Sequence, residues 1–172
     1  MKAVLMAGGE GTRLRPLTLN RPKPLMPVCN KPIMEHIIEN LREAGITQHY
    51  ATLHYLADEI QAFFGDGSGW GVEMNYSIEE TPLGTAGAVK LLEEHLDSTF
   101  IIISGDAMTD MDITKAVKFH KKAGSMATIV LSRVETPLEY GVVIIDEQGK
   151  ILRFLEKPGW GEVFSDTVNT GI

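Results

Sequence analysis

Short apolar runs alternate along this chain with stretches whose apolar residues recur at helical spacing, and that alternation restricts the fold more than anything else in it. The pattern predicts strands over 3–6, 48–54, 72–78, 100–103 and 126–134. Between the first two, Asn30 is expected to cap a helix with Pro32 in its first turn, an apolar stripe of Ile33, Ile37, Ile38 and Leu41, and Gly45 closing it. Further helices are expected over about 57–64, ended by Gly65, over 85–96 bearing Val89, Leu91, Leu92 and Leu96, and from a cap at Asp112 to Ala123. Late in the chain, 141–146 and 150–154 flank Glu147-Gln148-Gly149, a hairpin signal, and 168–172 reads as the start of another strand.

Strand and helix units in this order build an α/β protein with a Rossmann-like, doubly wound mixed sheet and helices on both faces. Phe100-Ile101-Ile102-Ile103 is too apolar for a strand with one wet face, as a sheet covered on both sides requires. Ligands in such folds bind beyond the carboxyl ends of the strands. The loops over 7–27, 79–85, 104–110 and 155–158 all follow strands and are expected to meet at one crevice.

The loop over 7–27 is the most informative of these. Gly8, Gly9 and Gly11 follow the strand directly, and a backbone without Cβ atoms can turn its N–H groups onto a bulky anion. Arg13, Arg15, Arg21 and Lys23 come next. The whole chain of 172 residues carries a formal charge of −7, yet residues 10–31 hold five Lys or Arg and one acid, Glu10. Such a balance excludes nonspecific nucleic-acid binding and concentrates positive charge beside the glycines. A dinucleotide fingerprint needs a third glycine at position 14, where Leu stands, and no Gly-Lys-Ser/Thr closes a P-loop. What remains is a glycine turn for a phosphorylated ligand, set against the plain alternative of a tight turn with solvated cations.

Cys29 stands alone, which excludes an intramolecular disulfide framework and fits a reducing cytoplasm. No apolar stretch approaches the roughly 20 residues of a membrane helix, and Met1-Lys2-Ala3 leads into a strand and not a signal peptide. A soluble, cytoplasmic protein with no nucleic-acid or membrane partner is the expectation, and a homo-oligomer is compatible with it. His36, His49, His54, His95 and His120 lack metal-ligand spacing, and the methionines read as packing residues. Trp70 and Trp160, flanked by glycines, read as loop anchors.

From Gly8 to Thr18 and from Pro22 to Leu25, the segment resembles the signature of sugar-1-phosphate nucleotidyltransferases. The resemblance continues in Pro82-Leu83-Gly84-Thr85-Ala86-Gly87, Gly105-Asp106, Tyr140-Gly141-Val142-Val143, Glu156-Lys157-Pro158 and Asn169-Thr170-Gly171-Ile172. Within the family the chain is similar to bacterial mannose-1-phosphate guanylyltransferases. The phrases 51–56 and 164–171 resemble the subgroup fused to a phosphomannomutase-like domain. Residues 1–172 are therefore expected to form one nucleotidyltransferase domain, of nucleotide-diphospho-sugar transferase fold, that continues past Ile172.

The resemblance implies that a sugar 1-phosphate oxygen attacks the α-phosphorus of a nucleoside triphosphate and pyrophosphate leaves. Arg13 and Lys23 would be the catalytic cations. Ala7, Gly8, Gly9, Gly11, Thr12, Gly84 and Thr85 would bind nucleotide, and Asp106 would ligate Mg²⁺. In the family a second metal-binding aspartate lies downstream of Asn-Thr-Gly, beyond this chain. Gly141, Glu156, Lys157 and Asn169 would meet the sugar phosphate. Relatives using uridine or thymidine nucleotides commonly carry Gln in the 79–85 loop, where this chain has Glu79 and Glu80. A carboxylate only accepts hydrogen bonds, and guanine offers two adjacent donors, so Glu80, with Glu79 as its competitor, tilts the base toward GTP. Mannose rests on the subgroup resemblance alone. The alternatives are uridylyl, thymidylyl or adenylyl transfer to glucose 1-phosphate, and a nucleotide-sugar-binding regulatory subunit without catalysis.

Overall fold

The computed structural model describes residues 1–159, 161 and 165–172; Trp160 and Phe164 lie outside them. The chain divides into two compact units, Met1–Val117 and Lys118–Ile172. The first begins with β1 (Lys2–Met6), whose Ala3, Val4 and Leu5 are fully buried. After the glycine loop come the two-residue strands β2 (Pro27–Val28) and β3 (Lys31–Pro32), which pair antiparallel. Cys29 and Asn30 between them both have positive φ, 52° and 65°, which makes the connection a type I′ hairpin turn. Asn30 is thus a turn residue and not a helix cap. Pro32 occupies the N-cap position of α1 (Ile33–Glu43), with no side-chain capping bond. Its apolar stripe of Ile33, Met34, Ile37, Ile38 and Leu41 is buried, each side chain contributing about 1.5–3 kcal/mol over exposure.

β4 (Gln48–Leu53), α2 (Ala57–Phe64) and β5 (Glu73–Ile78) follow as the periodicity predicts. The expected helix over 85–96 is shorter: α3 spans Gly84–Lys90, and a separate 3-10 turn covers Glu93–His95. Contacts distant in sequence end it, since the ring of His95 stacks on Tyr50 at 5.3 Å and its carbonyl accepts from the Lys2 ammonium. β6 (Phe100–Ser104) completes a four-stranded sheet of order β5-β4-β1-β6, parallel throughout.

That order carries the first unit's functional logic. From β1 the chain steps outward to β4 and β5, then returns to β6 on the other side of β1. Crossovers between parallel strands are right-handed, so the reversal puts α1 and α2 on one face and α3 on the other. The fold is a parallel sheet flanked by helices, and its switch point lies between β1 and β6. The loops that leave those two strands, and the one that leaves β5, emerge at the same carboxyl edge.

The boundary between units falls within α4 (Ile113–Ala123), where Oδ1 of Asp112 accepts the Lys115 N–H at 3.1 Å and Gly124 follows at φ 61°. The second unit holds β7 (Leu131–Arg133), β8 (Gly141–Ile145), β9 (Ile151–Glu156) and β10 (Thr167–Asn169) in an antiparallel sheet of order β7-β10-β8-β9. The strand expected over 126–134 is only three residues long because its partner β10 is equally short, and Met126 lies fully exposed. The β8–β9 hairpin turns where Oδ1 of Asp146 accepts the N–H groups of Gln148 and Lys150. Among the described residues no helix is long and apolar enough to cross a membrane.

Candidate active site

At the end of β1, Ala7 is buried and donates its N–H to the Thr52 carbonyl at 2.9 Å, so the first residue of the loop is tied to β4. Gly8 follows beside Glu79: a Cβ built on Gly8 would stand 3.2 Å from Oε1 of that carboxylate. Gly9 has open space around it. Gly11 adopts φ 61°, where a side chain is strained, and its missing Cβ would meet Thr18 Cγ2 at 3.1 Å and Lys23 Cβ at 3.2 Å. The turn therefore folds back on the residues that follow it.

Thr12, Arg13 and Leu14 form a 3-10 turn, and all three are exposed. Among the described residues Arg13 has no hydrogen-bond or ion-pair partner, whereas Arg15 pairs with Glu10 at 2.9 Å. Arg21 is exposed. Lys23 behaves differently: Pro22, Pro24 and Leu25 around it are buried, and its ammonium reaches Oδ2 of Asp106 at 2.7 Å. Asp106 sits in the turn after β6, where the Gly105 N–H bonds the Met6 carbonyl at 2.8 Å. The loops on either side of the switch point are thus joined by backbone and by an ion pair.

Glu79 and Glu80, adjacent in the chain, have different surroundings. Glu79 is buried; its Oε2 accepts the Leu83 N–H at 2.9 Å, and its carbonyl accepts Nδ1–H of His54 at 2.8 Å. Since a carbonyl can only accept, His54 carries its proton on Nδ1 there. Glu80 is exposed, as are Gly84 and Thr85 at the start of α3. The carboxylate held against the glycine loop is therefore that of Glu79. Two residues that the sequence reading left without a role also shape this site: Thr18, whose hydroxyl donates to the Gly11 carbonyl at 2.8 Å, and Tyr55, whose hydroxyl faces the Thr18 and Leu19 carbonyls at 3.0 and 2.9 Å. The only signal for Thr18 in the sequence is its place in the loop motif.

In the second unit Gly141 pairs with Glu156 across β8–β9, and Val168 pairs with Val142 across β10–β8. By antiparallel register the next residues, Asn169 and Gly141, are also opposite each other. Glu156, Gly141 and Asn169 consequently form one row across three strands, with side chains on one face and a bare glycine in the middle. A Cβ on Gly141 would meet Phe154 Cζ at 2.7 Å and Glu156 Oε2 at 3.1 Å. Lys157 takes φ 42° at the strand end, with its ammonium 4.0 Å from Glu156 and its N–H on the Tyr140 carbonyl. Oδ1 of Asn169 accepts the Gly171 N–H at 3.0 Å.

Among the described residues no group of three His, Cys, Asp or Glu side chains could hold a metal ion. Among the described residues, Asp106 brings a carboxylate oxygen to the switch point, where the Lys23 ammonium lies against it. One carboxylate fits a small divalent ion that takes its remaining ligands from phosphates and water.

The family described as Nucleotidyl transferase matches residues 2–172. A UTP–glucose-1-phosphate uridylyltransferase of Synechocystis sp. is 43% identical over 186 residues, covering all of this chain and 48% of that protein. Mannose-1-phosphate guanyltransferase beta-B of Xenopus laevis is 42% identical over 178 residues, covering all of this chain and 49% of its own length. The chain spans about half the length of these curated relatives. A solved structure of a glucose-1-phosphate thymidylyltransferase from Bacillus anthracis superposes with a TM-score of 0.91 at 30% identity, covering 99% of this chain and 69% of that one.

Proposed function

The chain belongs to the nucleotidyl transferase family, and from that premise we propose that it transfers a nucleotidyl group from a nucleoside triphosphate to a sugar 1-phosphate. The observation that carries the reading is the junction at the switch point: a glycine turn, an exposed Arg13 without a partner among the described residues, and Lys23 held 2.7 Å from Asp106. An oxygen of the sugar phosphate attacks the α-phosphorus, the bond from α-phosphorus to the bridging oxygen breaks, and pyrophosphate carries that oxygen away. The nucleophile is already ionised, so the protein has only to orient two anions and offset their charge. Arg13, with a planar fork of donors, suits the β- and γ-phosphates and the departing pyrophosphate. Lys23, a compact charge between two prolines, suits the α-phosphate. Asp106 would hold Mg²⁺, which supplies charge neutralisation on the phosphates when bound.

For the base, we read the carboxylate of Glu79 as the acceptor for the N1–H and N2 amino donors of guanine, which points to GTP. Its burial beside Gly8 supports Glu79 over the exposed Glu80. For the sugar, the row Glu156–Gly141–Asn169 offers hydroxyl partners around a bare backbone, with Lys157 for the phosphate. The Xenopus relative's name favours mannose 1-phosphate. The Synechocystis relative, at 43% identity against 42%, carries a second reading of UTP with glucose 1-phosphate. Pyrophosphate release from GTP, UTP, dTTP and ATP, each with mannose 1-phosphate and with glucose 1-phosphate, separates them. The expected result is release with GTP and mannose 1-phosphate above every other pair. Release with UTP and glucose 1-phosphate instead establishes the second reading, and release with none sinks both.

A further inference from the structure

We propose that Tyr55 is a positioning residue for the cation-bearing loop, a role that rests on reading that loop as the triphosphate site. Residues 12–21 carry Arg13, Arg15 and Arg21, yet most of them are exposed, and the exposed Leu14, Leu17 and Leu19 give the segment little packing of its own. Its internal backbone bonds are short-range turns, Leu17 to Leu14 and Leu19 to Pro16. Such a segment opens easily unless something outside it ties it down.

The tie comes from the turn after β4. The Tyr55 hydroxyl has one proton and stands 3.0 Å from the Thr18 carbonyl and 2.9 Å from the Leu19 carbonyl, so it donates to both in a three-centre bond. Thr18 passes the constraint inward: it is fully buried, and its hydroxyl holds the Gly11 carbonyl at 2.8 Å. Gly11 in turn lies against Cβ of Lys23. The Tyr55 N–H also faces the Gly8 carbonyl at 3.4 Å, which joins the same residue to the loop's entry. A continuous path therefore runs from Tyr55 through Thr18 and Gly11 to Lys23 and Asp106.

Leu56, immediately after Tyr55, adopts φ 49°, a left-handed conformation costly for a side chain branched like leucine. This kink starts α2 at Ala57 and turns the chain away just beyond Tyr55. The strain is tolerated at the point that aims the phenol at the loop.

The test is the protein with Tyr55→Phe, which keeps the ring and removes only the hydroxyl. With MgGTP and mannose 1-phosphate, or whichever pair the wild type turns over, the KM for the nucleotide is expected to rise about three- to tenfold, the effect of one lost hydrogen bond. The KM for the sugar phosphate is expected to stay unchanged. A merely structural role lowers the folded fraction, which scales kcat down and leaves both KM values alone. Hydrogen exchange at the Leu17 and Leu19 amides is expected to quicken in the same variant. If the wild type turns over and Tyr55→Phe leaves the nucleotide KM and the exchange unmoved, the role of Tyr55 is overturned. If the wild type makes no nucleotide-sugar with any pair, the reading of the site falls instead.

Discussion

The ammonium of Lys23 lies 2.7 Å from Oδ2 of Asp106, one residue from the loop after β1 and the other from the loop after β6. Their side chains are 27% and 35% exposed, so as a stabilising contact the pair is worth about 1 kcal/mol or less. It matters for what it joins: a lysine ammonium and an aspartate carboxylate, brought together from the loops on either side of one switch point.

Lys23→Ala is therefore expected to lower nucleotidyl transfer about 100-fold or more, the scale of a lost charge-stabilising donor. Its melting temperature is expected to change little. Pyrophosphate release and a thermal melt, measured side by side, check this. Turnover that stays near the wild-type level refutes the role assigned to Lys23.

The same pair makes a statement about cations. With no ammonium competing for Oδ2, Lys23→Ala is expected to bind Mn²⁺ more tightly than the wild type, and Asp106→Asn more weakly. Electron paramagnetic resonance of free Mn²⁺ reads both without turnover. Equal affinities in all three proteins exclude Asp106 as the ligand.

Glu79→Gln is expected to shift base choice away from GTP by about 10- to 100-fold in kcat/KM, because an amide cannot accept from both guanine donors. Its carbonyl oxygen can still accept the Leu83 N–H that Glu79 now holds at 2.9 Å, which preserves the loop. Glu80→Gln, at an exposed position, is expected to leave the preference as it is. The opposite pattern in the nucleotide panel moves the role to Glu80.

His49 predicts a pH dependence of stability. It is fully buried on β4, its Nε2–H donates to the Ile46 carbonyl at 2.9 Å, and Nδ1 has no partner among the described residues. Burial pushes its pKa below the ordinary 6.5. Below that pH the unfolded chain binds the proton and the folded chain does not, so stability is complete above about 6.5 and falls on acidification. The loss reaches at most about 1.4 kcal/mol per pH unit and ends at the folded pKa. Urea unfolding from pH 7.5 to 5.5 is expected to show this limb, and His49→Gln to flatten it.

Gly141→Ala places a Cβ 2.7 Å from the Phe154 ring and 3.1 Å from Glu156. Displacing the ring is expected to cost about 1–3 kcal/mol. If the Glu156–Gly141–Asn169 row meets the sugar, the KM for the sugar 1-phosphate rises while that for the nucleotide holds. A change confined to stability removes the row from the site.

Much of the first unit is legible in the amino-acid sequence. β1, β4, α2, β5 and β6 follow from periodicity, and α1 from its stripe, because those signals lie within the elements themselves. Asn30 misleads because the same small polar residue suits a helix cap and a left-handed turn, and only the pairing of β2 with β3 selects the turn. The helix expected to reach 96 stops at Lys90 because Tyr50 and Lys2, distant in sequence, engage His95.

By itself, then, the amino-acid sequence determined the order of elements, the glycine turn, the cluster of cations after it and the family to which they belong. All of these are encoded in neighbouring residues. The tertiary structure alone decided which cation meets Asp106, which of two adjacent glutamates lies against Gly8, that Tyr55 clasps the loop at Thr18, and that Glu156, Gly141 and Asn169 share a row. These depend on strand order and register. A period of two or 3.6 residues fixes the face of an element but carries no record of the distant segment that will lie beside it.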